Sequence, residues 1–253
     1  MSILLVDIGN TRMKWAVLRG ARMTRSRALV HDGAGARLRA AIRSAPRDVD
    51  RAVAVCVAGR RLERALAAAV RERFGIPTVF ARPTRMAAGV RNAYRDVWRL
   101  GADRWVSLLA AHAMVGSRPV LIANVGTALT LDVVDGAGIH LGGAIAPGPS
   151  TMVASLLGGT AGIRRRAHGS RRAGRAARGL FAADTASALD AGARFAAAAL
   201  IDRAVREARM ALGRRPVVLL TGGASAGLVT YIESAVREVP DLVLRGLGLL
   251  ARD

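Results

Sequence analysis

Four short segments hold residue types that could do chemistry together. Asp7-Ile8-Gly9-Asn10-Thr11 ends an apolar run with a carboxylate and follows it with a tight turn. Gly9 lets the backbone approach a ligand closely. The Asn10 amide, the Thr11 hydroxyl and the turn N–H groups can bond phosphate oxygens. Lys14 adds a mobile positive charge, and Asp7 can hold Mg²⁺ directly or through water. An ordinary hairpin turn accounts for the same letters, but Lys14 is the only lysine in the chain, which favours the phosphate reading. The second segment, Asn124-Val125-Gly126-Thr127, is another turn of this kind. The third, Thr221-Gly222-Gly223-Ala224-Ser225, follows an apolar strand and suits an adenine and ribose, although di-glycine turns are common. In the fourth, Asp103 and Arg104 stand side by side; spacing alone reads them as a surface pair in the first turn of a helix.

The elements that must position these segments follow from periodicity. Ile3–Ile8 and Met13–Leu18 read as strands of a hairpin around Gly9-Asn10-Thr11. Residues 34–44 and 60–74 have helical spacing, with strands at 51–57 and 78–81, and a helix is expected over 102–114. The pattern then restarts. Leu4 through Thr11 align without gaps on Leu121 through Ala128, which predicts a duplicated strand–turn–strand unit at the head of two domains, residues 1–116 and 117–253. Two such domains facing each other would bring both turns to one cleft. Further on, Ile139–Ala146 reads as a strand and Ser150 as the N-cap of a helix over 150–157. Residues 158–180, rich in Arg and Gly, read as an irregular surface loop. A long helix is expected over 184–212, a helix opening at Gly222-Gly223, and a closing strand or short helix over 242–251.

Composition narrows the class. Hydrophobic content of 52% predicts a globular chain, and no apolar stretch approaches a membrane span. A single cysteine, Cys56, excludes an intrachain disulfide and reads as a buried structural thiol. That usage, with no charged leader before Ile3, predicts a cytoplasmic protein without membrane attachment. The net charge of +21 would suit an anionic partner. Its arginines, however, are spread along Ala-rich helices (Arg37, Arg39, Arg43; Arg64, Arg71, Arg73), and no zinc-finger or basic-zipper pattern occurs. Specific nucleic-acid binding is not expected. Asn occurs only at Asn10, Asn92 and Asn124, and Gln not at all, so the rare amides and the one lysine all fall in or beside the candidate segments. His31, His112, His140 and His168 are scattered and predict no metal set.

Taken in order, these motifs resemble a known group. Two D-x-G-type turns and a late strand–Gly-Gly segment are similar to the actin, Hsp70 and sugar-kinase superfamily. That implies α/β architecture, with two related ribonuclease-H-like domains around a nucleotide cleft. Asn92-Ala93-Tyr94, Gly101-Ala102-Asp103-Arg104 and Leu141-Gly142-Gly143-Ala144-Ile145-Ala146-Pro147-Gly148 resemble motifs of type III pantothenate kinases, relatives of which are also named Bvg accessory factors. The resemblance implies ATP-dependent phosphorylation of pantothenate, the first step of coenzyme A biosynthesis, by a homodimer. It implies ATP contacts from Asp7, Ile8, Gly9, Asn10, Thr11, Arg12, Met13 and Lys14, and from Thr127, Gly222 and Gly223. It implies substrate contacts from Asn92, Tyr94, Gly101, Ala102, Asp103, Arg104 and Thr185, with Asp103 as the general base. Mg²⁺ at Asp7 and a monovalent cation, K⁺ or NH₄⁺, complete the expected set.

Two departures stand out. Asn124 occupies the position where the family carries the Asp of the monovalent-cation site, and Thr160-Ala161-Gly162-Ile163-Arg164 lacks a proline that the family has. Two other readings share part of this pattern. Another small-molecule kinase of the superfamily would keep the ATP turns but not the Asn92–Tyr94 and Gly101–Arg104 pair. A non-catalytic transcription accessory protein would have no use for Asp103.

Overall fold

The computed structural model describes every residue except Asp32, Ala34, residues 169–178 and Asp253, and omits the side chain of His168. In chain order the strands and helices are β1 (Ser2–Ile8), β2 (Arg12–Arg19), β3 (Arg22–Met23), β4 (Arg27–Val30), α1 (Ala36–Arg43), β5 (Arg51–Cys56), α2 (Arg60–Phe74), β6 (Thr78–Phe80), β7 (Met86–Ala87), β8 (Val90–Arg91) and α3 (Ala102–Val115). They continue with β9 (Val120–Val125), β10 (Ala128–Val134), β11 (His140–Pro147), α4 (Pro149–Gly159), α5 (Ala161–His168), α6 (Thr185–Leu212), β12 (Val217–Thr221), β13 (Arg237–Glu238) and α7 (Leu242–Leu250). The chain divides into two compact units. The first comprises Met1–Ser117, Val134–Gly142 and Asp241–Asp253; the second comprises Arg118–Val133 and Gly143–Pro240.

In the first unit the strands are ordered β3-β2-β1-β5-β6, with β4 also paired to β2. β1 runs antiparallel to β2 and parallel to β5. Because successive side chains alternate between faces, β1 feeds two cores. Leu4, Val6 and Ile8 pack with Leu38 and Ile42 of α1 and Leu62, Leu66 and Val70 of α2. Ile3 and Leu5 pack with Val106 of α3 and Leu244 and Leu247 of α7. A strand buried on both faces must read as an almost unbroken apolar run, as β1 does, and its one interruption is Asp7. Helices α3 and α7 pack so closely that a Cβ on Gly246 would lie 2.1 Å from the Val106 carbonyl oxygen.

The second sheet, which lies mostly in the second unit, is ordered β11-β10-β9-β12-β13, the same permutation as the first, with β12 parallel to β9 and β13. This matches the duplication expected from the repeated segment. One face of the sheet buries Leu121, Ala123, Val125, Val218 and Leu220 against the small side chains Ala197, Ala198 and Ala208, with Ile201 and Val205, of α6.

Three local expectations are corrected. Ser150 does not cap α4; Gly148 does, with Pro149 in the first turn, where its fixed φ suits a helix start and its missing N–H costs nothing. Gly222-Gly223 opens no α-helix but leads through turns to a single 3₁₀ turn at Val229–Tyr231, and Ser225 returns its hydroxyl to the Gly222 carbonyl. Within the expected loop 158–180, residues 161–168 form α5. Its start is supported by the Arg164 guanidinium, which donates to the Leu157 and Gly158 carbonyls at the end of α4. Residues 169–178 of that expected loop lie outside the described residues. The closing segment, which its sequence fits as either strand or helix, is helical as α7.

Candidate functional site

The first turn joins the end of β1 to the start of β2, and its hairpin register sets Asp7 directly opposite Lys14. The Gly9 N–H donates to the Arg12 carbonyl at 2.9 Å and closes the turn. Asn10, Thr11 and Arg12 are exposed, while Ile8 and Met13 are buried and serve the core. His31 braces the turn from β4's end. Its Nε2 lies 2.7 Å from the Gly9 carbonyl oxygen, and its backbone N–H donates to the Thr11 carbonyl at 3.1 Å. Buried in this role, His31 is a supporting residue that its position in the sequence did not reveal.

Asp7 is a carboxylate in an apolar strand, and its pKa is pushed up to about 7. Burial is the main cause, because it disfavours the charged form. The negative charges of Asp103 and Asp241 push the same way, and Lys14 opposes them. Three acidic residues and the only lysine of the chain therefore share one neighbourhood in this unit. Lys14 Nζ lies 3.2 Å from Asp241 Oδ1.

Asp103 stands in the first turn of α3, after Gly101 as N-cap and the buried Ala102. A Cβ on Gly101 would lie 2.9 Å from Asp103 Oδ1, so the two residues are in close contact. Arg104 is 6% exposed, and its Nη1 donates to the Tyr94 hydroxyl at 3.2 Å. The Tyr94 ring stacks on buried His140, with centroids 6.1 Å apart and planes 6° from parallel. Asn92 is buried with its amide engaged by its own loop. Its Oδ1 accepts from the Tyr94 N–H, and its Nδ2 donates to the Thr84 and Val97 carbonyls. Arg85 clamps the same loop by donating to the Tyr94 and Arg95 carbonyls. The first unit thus brings together Asp7, Lys14, Tyr94, Asp103 and Arg104 from segments spread over about a hundred residues.

The second unit holds Asn124, Thr127, Thr185, Gly222 and Gly223. Its turn is built by close backbone approach. Gly222 has φ +104, and a Cβ there would lie 2.2 Å from the Val125 carbonyl oxygen and 2.6 Å from Asn124 Oδ1. The Ala224 N–H donates to that Val125 carbonyl at 3.0 Å. The Gly148 N–H donates to the Thr127 carbonyl at 2.9 Å, leaving Thr127 exposed at the tip. Thr185 begins α6 beside its N-cap Asp184, whose carboxylate accepts from the Ser187 N–H at 3.0 Å. Thr185 also lines an apolar cavity of about 450 Å³ with Met152, Leu156, Ile163 and Leu189.

Cys56 is a buried free thiol, raised in pKa by burial, as expected of a structural cysteine. Among the described residues, no helix is long and apolar enough to cross a membrane.

The family model for type III pantothenate kinases matches residues 3–207. Relatives of that name include the proteins of Aromatoleum aromaticum, 37% identical over 99% of this chain and 98% of theirs, and Xanthomonas axonopodis pv. citri, 38% identical over 99% and 98%. That of Nitrosococcus oceani is 34% identical over 99% of this chain and 94% of its own. Among solved structures, a conserved Campylobacter jejuni protein named for the Baf family of transcriptional activators matches with a TM-score of 0.56 at 19% identity. That match covers 98% of this chain and 97% of the other. The activator of 2-hydroxyisocaproyl-CoA dehydratase from Clostridium difficile, with bound ADPNP, matches with a TM-score of 0.52 at 13% identity over 98% and 92%. At such identities the likeness is one of fold, and the fold is the actin-like α/β architecture that the turns imply. Nearly full-length matches above 30% identity carry more, and on them this chain belongs to the type III pantothenate kinase family.

Proposed function

We propose that this chain transfers the γ-phosphoryl group of ATP to the hydroxyl of pantothenate, giving 4′-phosphopantothenate and ADP at the first step of coenzyme A biosynthesis. The carrying observation is the convergence in one unit of Asp103, Asp7, Lys14 and the Arg104–Tyr94 pair. Asp103 takes the proton of the attacking hydroxyl as the O–P bond forms and the bond to the β-phosphate oxygen breaks, so ADP leaves with the electron pair. Arg104, held by Tyr94, offers a planar fork for a carboxylate or phosphate oxygen, and Tyr94 itself can bond the substrate. Asn92 shapes the loop that presents Tyr94, while Gly101 and Ala102 leave room for the substrate beside Asp103. Thr185 is a further substrate contact.

The turn residues Gly9, Asn10, Thr11 and Arg12, with Lys14, take the phosphates. Thr127, Gly222 and Gly223 serve the nucleotide from the second unit. The donor set fits Mg²⁺. Asp7 carries a pKa raised partly by neighbouring carboxylates, so a cation would relieve that repulsion, and Mg²⁺ needs only one or two carboxylates when phosphates supply the rest. Bound there, Mg²⁺ would neutralise charge developing on the phosphate oxygens. For the monovalent cation, the Asn124 amide oxygen can coordinate K⁺ or NH₄⁺ but lacks a carboxylate's charge, so the cation should bind more weakly than at a carboxylate. The protein acts in the cytoplasm as a homodimer, and any binding to DNA is non-specific and lost at moderate salt.

The test is ATP consumption with and without pantothenate, read beside product formation. Pantothenate-dependent ADP release with one phosphopantothenate per ADP is expected. ADP release indifferent to pantothenate would overturn the reading, and stimulation by a different hydroxyl acid would reassign the substrate.

A further inference from the structure

Asp241 is the residue of this neighbourhood that no motif announced. It occupies the N-cap of α7, where an aspartate ordinarily turns its carboxylate onto the free amides of the first turn. Here it makes no such bond. Its backbone is left-handed, at φ 59 and ψ 33, a conformation costly for most side chains and tolerated best by Asn and Asp. Both carboxylate oxygens point elsewhere. Oδ1 lies 3.2 Å from Lys14 Nζ, and Oδ2 accepts the Ser26 hydroxyl at 2.6 Å. The pair is largely shielded from water, with side chains 25% and 15% exposed.

Helix α7 has other anchors. Its Leu244 and Leu247 sit in the core, and Gly246 meets α3. Docking of the helix therefore does not require the carboxylate. What the carboxylate does determine is where Lys14 points. Lysine has a flexible four-carbon stem and three N–H donors; one held by Asp241 leaves two for other acceptors and removes much rotamer freedom before a ligand arrives. Ser26 fixes the carboxylate in turn. We infer that Asp241 is a positioning residue that aims the Lys14 ammonium at the phosphates of the nucleotide. This rests on the assignment of Lys14 to the nucleotide made above.

Asp241→Asn keeps the shape and suits a left-handed backbone, and Asp241→Gly suits it with no side chain at all, so a folded variant is available. Each is measured beside Lys14→Met and the double variant Lys14→Met/Asp241→Asn, reading kcat/KM for ATP, KM for pantothenate and Tm. Asp241→Asn should lower kcat/KM for ATP about tenfold, the order of a lost charge-assisted contact. KM for pantothenate should change less than twofold, and adding Asp241→Asn to Lys14→Met should cost nothing more. An equal loss in both backgrounds, or a lower Tm with kcat/KM for ATP unchanged, would overturn the inference. If Lys14→Met lowers kcat/KM for ATP and neither Asp241 variant does, only the positioning role falls. If Lys14→Met itself leaves ATP use unchanged, the assignment of Lys14 falls and takes the inference with it.

Discussion

The turns at Gly9 and Gly126 sit at the same place in two sheets of the same strand order, yet they are chemically opposite. With the two segments aligned, Asp7 corresponds to Asn124, and continuing the alignment sets Lys14 against Leu131, which is buried. The first hairpin holds an acid and a base across one ladder rung, with Asp103 and Asp241 nearby. The second has a neutral amide and a glycine at its turn, its carboxylate Asp132 being buried farther along β10, and the precision of the turn comes from backbone approach by Gly148 and Gly222. At its two turns the duplicated fold thus carries charge chemistry in one copy and shape in the other. Mutations should consequently damage the two turns in different ways: rate and pH response in the first, stability and nucleotide fit in the second.

The largest break should come in the charged copy. Asp103→Asn is isosteric and keeps the first turn of α3, so Tm and ligand binding should hold while turnover falls by about 10²–10⁴, as for a lost general base. Single-turnover kinetics with ATP and pantothenate decide it, and wild-type turnover would remove Asp103 from the chemistry.

In the shape-bearing copy, Gly222→Ala adds a methyl at a positive φ and against the Val125 carbonyl. Strain and displacement of the turn should cost about 3 kcal/mol of stability. A denaturant titration reads the loss, and KM for ATP should rise while KM for pantothenate stays put. An unchanged midpoint would mean that this turn yields more easily than its close contacts imply.

Asp7 sharpens the contrast through pH. Its folded pKa of about 7 lies above the ordinary carboxylate value of 3.8, so between those limits the folded protein holds a proton that the unfolded chain releases. Stability from this group is complete below pH 3.8 and is lost as pH rises through 7. Asp7→Asn, which cannot ionise, should therefore be inactive yet more stable. The gain should be about 2 kcal/mol at pH 8, because water still reaches the group and screens it, and should vanish toward pH 4. Thermal melts in EDTA, without nucleotide, test this, and a gain independent of pH would contradict it.

The smallest effect is expected at Asn124. Asn124→Asp restores a full charge beside the second turn, and the variant should half-saturate with K⁺ at a several-fold lower concentration, choline holding ionic strength constant. Identical saturating curves for both proteins would place the cation elsewhere.

Much of this molecule is dictated by local sequence. The unbroken apolar run of β1, the Gly9–Thr11 turn, the span of α2 and the Asp184 cap of α6 each follow from periodicity or capping, which act over a few residues. The repeated segment announced two sheets of one design, and the scarcity of Lys and Asn marked the residues worth placing. Other features depended on contacts between distant segments. Residues 161–168 became helical although Gly162 and the arginines suggested a loop, because Arg164 could satisfy the end of α4. Gly222 led to no helix, because the turn is held by the Val125 carbonyl of a strand about a hundred residues away, which accepts the Ala224 N–H. His31 supports Gly9 and His140 stacks on Tyr94, and neither shows a motif because bracing a backbone or a ring requires no fixed spacing. Asp241 lies 227 residues from Lys14 and returns to the first unit only because α7 docks on α3. Local sequence could name the acid, the base and the turns. Which charges share a neighbourhood, and therefore what pKa Asp7 has and where Lys14 points, was decided by tertiary packing, since electrostatic coupling depends on distance and burial rather than on order along the chain.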